Sequence, residues 1–217
     1  MATQIVLVRH GETEWSRTGR HTGRTDIALT ERGRREATSV GPTLDGWTFA
    51  HQFSSPLSRA RDTAELADVQ GTHGELIVDD DLLEWDYGIY EGRTNDAIQI
   101  DEPGWSKWAG PLEGGEDVHD VGARADRAIA RLAESSKDGP VLVFAHGHLL
   151  AILIARWLDL DAAEGRRFTL ETATVSVLGV KRTDRVLRIL NYGCDPAAPI
   201  DPTQRGTYEP VITTPSR

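Results

Sequence analysis

The sequence predicts an α/β protein of three layers, α/β/α, around a mostly parallel central sheet. Two continuous apolar runs, Ile5-Val6-Leu7-Val8 and Val141-Leu142-Val143-Phe144-Ala145, each lead into a histidine followed by glycine. A strand buried on both faces of a parallel sheet reads this way, apolar at every position rather than alternating. Segments with helical spacing lie between these runs. Strands that alternate with helices imply a parallel sheet covered on both faces, with its ligand crevice beyond the carboxyl ends of the strands.

Taken in order, IVLVRHGE is a short buried strand that ends in a polar, glycine-containing turn. Residues 30 to 44 read as a helix with Thr30 as N-cap, although Gly33 and Gly41 count against it. FSSPLSRARDTAELA is a strand end followed by a helix that begins near Pro56, a residue tolerated in the first turn. LIVDDDLLEWDYGIYEG is a further strand and then an acidic, aromatic loop. From Glu116 to about Ser135, Val118, Val121, Ala125, Ile129 and Leu132 fall on one face of a long amphipathic helix, which Gly139-Pro140 ends. PVLVFAHGHLLAILIARWL repeats the logic of the N terminus: strand, sharp turn at His146-Gly147-His148, helix. TATVSVLGVKR and RVLRILNYG are two more strands, joined by a turn near Thr183-Asp184. Residues 1–193 are expected to form one domain and 194–217 an irregular, proline-containing tail.

Composition narrows the function. With 217 residues, 39% hydrophobic and 27% charged, the chain suits one sizeable core. A formal net charge of -10 argues against a nucleic-acid partner, which demands a positive face. No apolar stretch approaches the roughly 20 residues that span a bilayer, so no membrane partner is expected. A single cysteine, Cys194, permits no intrachain disulfide, and the N terminus shows no signal-peptide pattern. The expected location is cytoplasmic, and a homo-oligomer is compatible with the sequence.

The duplicated strand-His-Gly pattern is the main clue to chemistry. In a parallel sheet His10 and His146 fall at the same edge, where Gly11 and Gly147 let the backbone approach a ligand and a following helix N terminus favours an anion. Either histidine alone would as readily satisfy a strand end, but that blander reading does not explain why Arg9 accompanies the first. Arg59, at the start of a helix behind another strand end, can fork onto two phosphate oxygens. Arg61, two positions on, points elsewhere. Two arginines and two histidines make a dianion pocket. An alkoxide leaving group must also be protonated, and Glu84, at a strand end after Leu82-Leu83 and among Trp85 and Tyr87, is the candidate acid in surroundings expected to keep it protonated. Asp79, Asp80, Asp81 and Glu91 read as a solvated acidic run, and Asp86 is left open.

These segments in this order resemble the histidine phosphatase superfamily, the phosphoglycerate-mutase-like family. Arg9-His10-Gly11 within VLVRHGETEW matches its signature, and GRHTGRTDIALTERG, SSPLSRARDTA, LLEWDYGIYEG and FAHGH follow over most of residues 5 to 158. The resemblance implies a phosphoglycerate-mutase-like fold, with His10 as nucleophile, Arg9, Arg59 and His146 as phosphate clamp, and Glu84 as general acid. It implies phosphohydrolysis of a small-molecule phosphate ester with no metal and no cofactor. Ser16 to Thr25 looks like the family's substrate loop, with Thr22 and Gly23 donating to phosphate. Many members carry asparagine where this chain has Ser16, so Ser16 is left out of the clamp. Arg17, Arg20 and Arg24 are read as solvated, although such arginines suit a second anionic group.

His21 and His148 are expected near the site, His148 as a substrate-binding residue, while His51, His73 and His119 are bystanders. Trp105, Trp108 and Tyr90 suit either a leaving-group pocket or the core. EWDYGIYEG with FAHGH resembles a branch containing bacterial acid phosphatases and sedoheptulose-bisphosphatase-like enzymes. The lysine- and arginine-rich insert of the mutases is missing, which favours a phosphatase over the alternative, mutase-type transfer between positions of one substrate. A metal-dependent hydrolase built on His146-x-His148 is a weaker rival, because neighbouring ligands are lacking in the sequence. A phosphate-binding module without turnover is another, disfavoured because every residue the chemistry needs is present.

Overall fold

The computed structural model describes residues 3–69, 72 and 74–193. Cys194, His73 and the expected C-terminal tail lie outside them. Six strands form one sheet: β1 (Gln4–Arg9), β2 (His51–Ser54), β3 (Leu76–Val78), β4 (Val141–Ala145), β5 (Val175–Lys181) and β6 (Asp184–Tyr192), in the order β3-β2-β4-β1-β5-β6. β1 to β4 are mutually parallel, and the hairpin β5–β6 is antiparallel and joins along β1.

The continuous apolar runs are buried from both sides. Ile5 and Leu7 of β1 belong to one core cluster with Val121, Ala125, Leu149 and Leu153, which come from α5 (Val118–Ser135) and α6 (Gly147–Trp157). Val6 and Val8 pack instead with Val40 of α2 (Glu31–Thr43) and Ala64 and Ala67 of α3 (Ser58–Ala67). The period-2 alternation of a strand thus sends neighbouring side chains to opposite helical layers. Two short helices, α1 (Glu14–Arg17) and α4 (Asn95–Asp101), lie in segments that show no helical period in the sequence.

Thr30 caps α2 through Gly33 N as expected. Gly33 is no weakness there: a Cβ would stand 2.0 Å from the Glu12 carbonyl oxygen, so glycine is what lets α2 close onto the turn after β1. Two expectations are corrected. Glu84 follows a single 3-10 turn, Asp80–Leu82, rather than a strand end, because β3 stops at Val78. Asp79 and Asp81 are not simply solvated either, since they pair with Arg131 and Arg127 on α5 and tie the loop to that helix.

Candidate active site

Strand register brings the two histidines together. Arg9 pairs with Ala145 across β1 and β4, so His10 and His146 leave adjacent strands at the same edge, their ring centroids 5.2 Å apart. Ser54 pairs with Phe144, which puts Ser55 beside them. His10 is held in one orientation: its N–H bonds the Ala145 carbonyl, and Nδ1 lies 2.7 Å from the Gly11 carbonyl oxygen. A carbonyl can only accept, so Nδ1 carries the proton and Nε2 is left with its lone pair. Burial, then the charges of Arg59 and Arg9, hold this imidazole well below its usual pKa.

His146 is fully buried, with Nδ1 accepting from Arg59 Nε at 3.1 Å and Nε2 donating to Ser55 Oγ at 2.7 Å. Burial first, and then Arg59, keep it neutral. Arg59, also 0% exposed, gives its remaining bonds to the carbonyl oxygens of Thr22, Gly23 and Thr25. It therefore staples the segment expected to be the substrate loop. Glu91, read as solvated from the sequence, holds the same segment from the other side by accepting from Arg24 N, Thr25 N and Thr25 Oγ1. Gly23 is squeezed between these anchors, where a Cβ would meet the Trp85 carbonyl oxygen at 2.5 Å.

A cleft of about 260 Å³ opens at this edge, lined by Arg9, His10, Thr22, Glu84 and His148, with Tyr87 and Trp108 on one wall and Arg166 and Phe168 to Leu170 on another. Arg59, His146 and Gly23 stand behind this surface, a place the sequence does not distinguish from direct contact. Arg9 donates through Nη1 to the Leu170 carbonyl, while its buried Nε has no partner among the described residues. Glu84 is buried, but not in the apolar setting expected: Oε1 accepts from Trp85 N and Leu149 N, and Oε2 from His148 N. The carboxyl group caps the first turn of α6, whose N–H groups are otherwise unsatisfied.

His148 Nδ1 lies 2.6 Å from Tyr87 Oη; burial drives the imidazole far down and the phenol far up, so both are neutral. His21 packs at a tilt on Tyr87 and approaches Trp105, and Tyr90 packs on Trp105. Ser16 lines the cleft although its hydroxyl is engaged in a capping box with Thr13. Arg20 lines it as well, while Arg17 pairs with Glu14 and Arg24 with Asp86 and Glu116. His51 pairs with Asp138 well away, and His119 is exposed. Ser55 and the 166–170 wall escape a reading of the sequence, because nothing in their spacing marks them; only register and chain return put them here.

A family model, histidine phosphatase superfamily (branch 1), matches residues 5–193, the stretch that carries every one of these side chains. The chain belongs to the histidine phosphatase superfamily. This histidine phosphatase is 41% identical over 189 residues to an acid phosphatase of Mycobacterium tuberculosis, covering 86% of this chain and 91% of that one. It is 35% identical to the sedoheptulose 1,7-bisphosphatase of Saccharomyces cerevisiae, covering 74% of this chain and 69% of the relative. The solved structure of an open reading frame product from Mycobacterium tuberculosis superposes with a TM-score of 0.81 at 40% identity, over 87% of this chain and 96% of the other. As a histidine phosphatase with phosphatase-named relatives, the protein is a hydrolase of phosphate monoesters. No helix among the described residues is long and apolar enough to cross a membrane. The His146-x-His148 pair is not arranged as shared metal ligands: both nitrogens of His146 are engaged by Arg59 and Ser55, and His148 Nδ1 meets Tyr87.

Proposed function

We propose that the protein hydrolyses small phosphomonoesters of the sugar-phosphate kind through a phosphohistidine formed on His10. The observation that carries this reading is the pinned tautomer: Nδ1 is committed to the Gly11 carbonyl, so Nε2 is the free nucleophile in a cleft that Arg9 and Glu84 also line.

In the first step Nε2 attacks phosphorus and the P–O ester bond breaks, while Glu84, carrying a proton on Oε2, the oxygen that accepts a single backbone bond, transfers it to the departing oxygen. In the second, Glu84 takes a proton from water, the water oxygen attacks phosphorus, and the N–P bond breaks to release phosphate and free His10. Arg9 neutralises the equatorial oxygens, Thr22 faces them from the loop, and Arg59 and His146 keep that loop and His10 in register from behind. His148 with Tyr87 and Trp108 forms the leaving-group wall. The volume, about 260 Å³, is at the small end for ligand pockets and suits a single small metabolite ester.

The test is phosphate release from an aryl phosphate and from a sugar-phosphate panel, in chelator, for wild type and His10→Ala. Release is expected from wild type and lost in the variant, with free alcohol rather than an isomeric phosphate as co-product. Because His10 stays neutral, kcat/KM is expected to show no fall from an ordinary imidazole titration near pH 6.5. Release that survives in His10→Ala overturns the assignment.

A further inference from the structure

Outside the cleft, the guanidinium of Arg124 on α5 is heavily bonded and 5% exposed. Arginine has five N–H donors, and here five bonds are made. Nη1 reaches the carbonyl oxygens of Asp81 at 3.1 Å and Leu83 at 2.5 Å, and Nη2 that of Glu84 at 3.0 Å. Nη2 also bonds Glu116 Oε2 at 3.0 Å, and Nε bonds Glu116 Oε1 at 2.8 Å. Glu116 continues the pattern around the same residue. Its carbonyl accepts from Trp85 Nε1 at 2.9 Å, and its Oε2 from Asp86 N at 2.9 Å. Arg24 Nη2, from the segment stapled by Arg59, lies 3.3 Å from that same Oε2.

We infer that the Arg124–Glu116 pair is a positioning device for the general acid, fixing the main chain of Glu84 so that its carboxyl group meets the leaving oxygen. The inference rests on Glu84 being that acid, as proposed above. Two anchors act on Glu84 from different elements: the α6 N terminus holds its carboxyl oxygens, and Arg124 on α5 holds its carbonyl. With only the first, the backbone bonds to α6 would have to hold the carboxyl group against any shift of residues 81–86, and proton transfer tolerates little displacement. Burial pushes the Glu116 carboxyl up, but bonding and charge from Arg124, the Asp86 amide and Arg24 outweigh it and hold the group below its ordinary value. Glu116 therefore stays ionised at working pH. Through Arg24 it also joins the acid loop to the substrate loop.

A residue that merely supports the fold and one that positions an acid differ in what they cost different substrates. Expulsion of p-nitrophenolate needs little protonation, whereas expulsion of an alkoxide depends on it. For Arg124→Lys, which keeps the charge but not the fork, kcat on glycerol phosphate is expected to fall about 10- to 100-fold while p-nitrophenyl phosphate loses less than about 3-fold, with KM for both nearly unchanged. Glu116→Gln, nearly isosteric, is expected to show the same split more weakly and carries the test if Arg124→Lys does not fold. Glu84→Gln is measured alongside. If it splits the two substrates and the pair variants lower both equally, the positioning role is overturned and the acid assignment stands. If Glu84→Gln itself shows no split, the acid assignment fails and the inference falls with it.

Discussion

Arg59 tests most directly the claim that the substrate loop is held by a buried cation rather than by its own conformation. Arg59→Met keeps most of the side-chain length and removes every donor. Four bonds disappear: to His146 Nδ1, and to the carbonyl oxygens of Thr25, Thr22 and Gly23, at 2.9 to 3.2 Å. At about 1.5–3 kcal/mol for each bond from a charged donor, the simple sum is about 6–12 kcal/mol. Two effects reduce it. The cost of burying the guanidinium is recovered, and water reaches carbonyls of the half-exposed loop once it loosens. A net loss of about 3–5 kcal/mol is expected, a large part of the total stability of an ordinary domain. Urea unfolding gives the free energy, and limited proteolysis within residues 20–26 reports release of the loop. Phosphate affinity should weaken in step, since Thr22 moves with the loop. A loss below about 1 kcal/mol with unchanged protease resistance would refute the stapling argument, because four orphaned polar partners cannot be that cheap.

Two further outcomes follow from the same region. His21 is held at about 4 by burial and, less, by Lys107, and its Nε2 is buried without a partner among the described residues. The unfolded chain takes up that proton near pH 6.5 and the folded chain does not, so this stability is present above about pH 6.5 and is lost as pH falls toward 4, by roughly 3 kcal/mol at most. His21→Leu should flatten the stability–pH curve across that window, measured by urea midpoints, and an unchanged slope would show that His21 titrates normally. Gly23→Ala should displace the loop or the Trp85 carbonyl, given the 2.5 Å approach of its Cβ to that oxygen. The expected result is a rise in KM of about 10-fold or more with a smaller fall in kcat, in line with what sub-ångström to ångström misplacement costs; wild-type KM would contradict the packing.

The sequence by itself determined the layered α/β fold and the nucleophile's place in it. Short apolar runs that end in a glycine-containing turn read as strands buried on both faces, and a strand that ends in Arg-His-Gly or Ala-His-Gly puts its histidine at the carboxyl edge wherever it lies in the sheet. The long helix after Asp117 and the Thr30 cap were legible for the same reason, since period and capping are local. Tertiary structure decided what depends on distant chain returns. Whether Arg59 faces phosphate or loop carbonyls, whether Glu84 sits among apolar rings or caps a helix, and whether Glu91 is solvated or holds the loop are questions about partners 34 to 67 positions away in sequence. Such pairings leave no periodicity to read. The guanidinium of Arg124 is the extreme case: on α5 it looks like one more polar position on a helix, and only the approach of residues 81–86 turns it into the centre of a network.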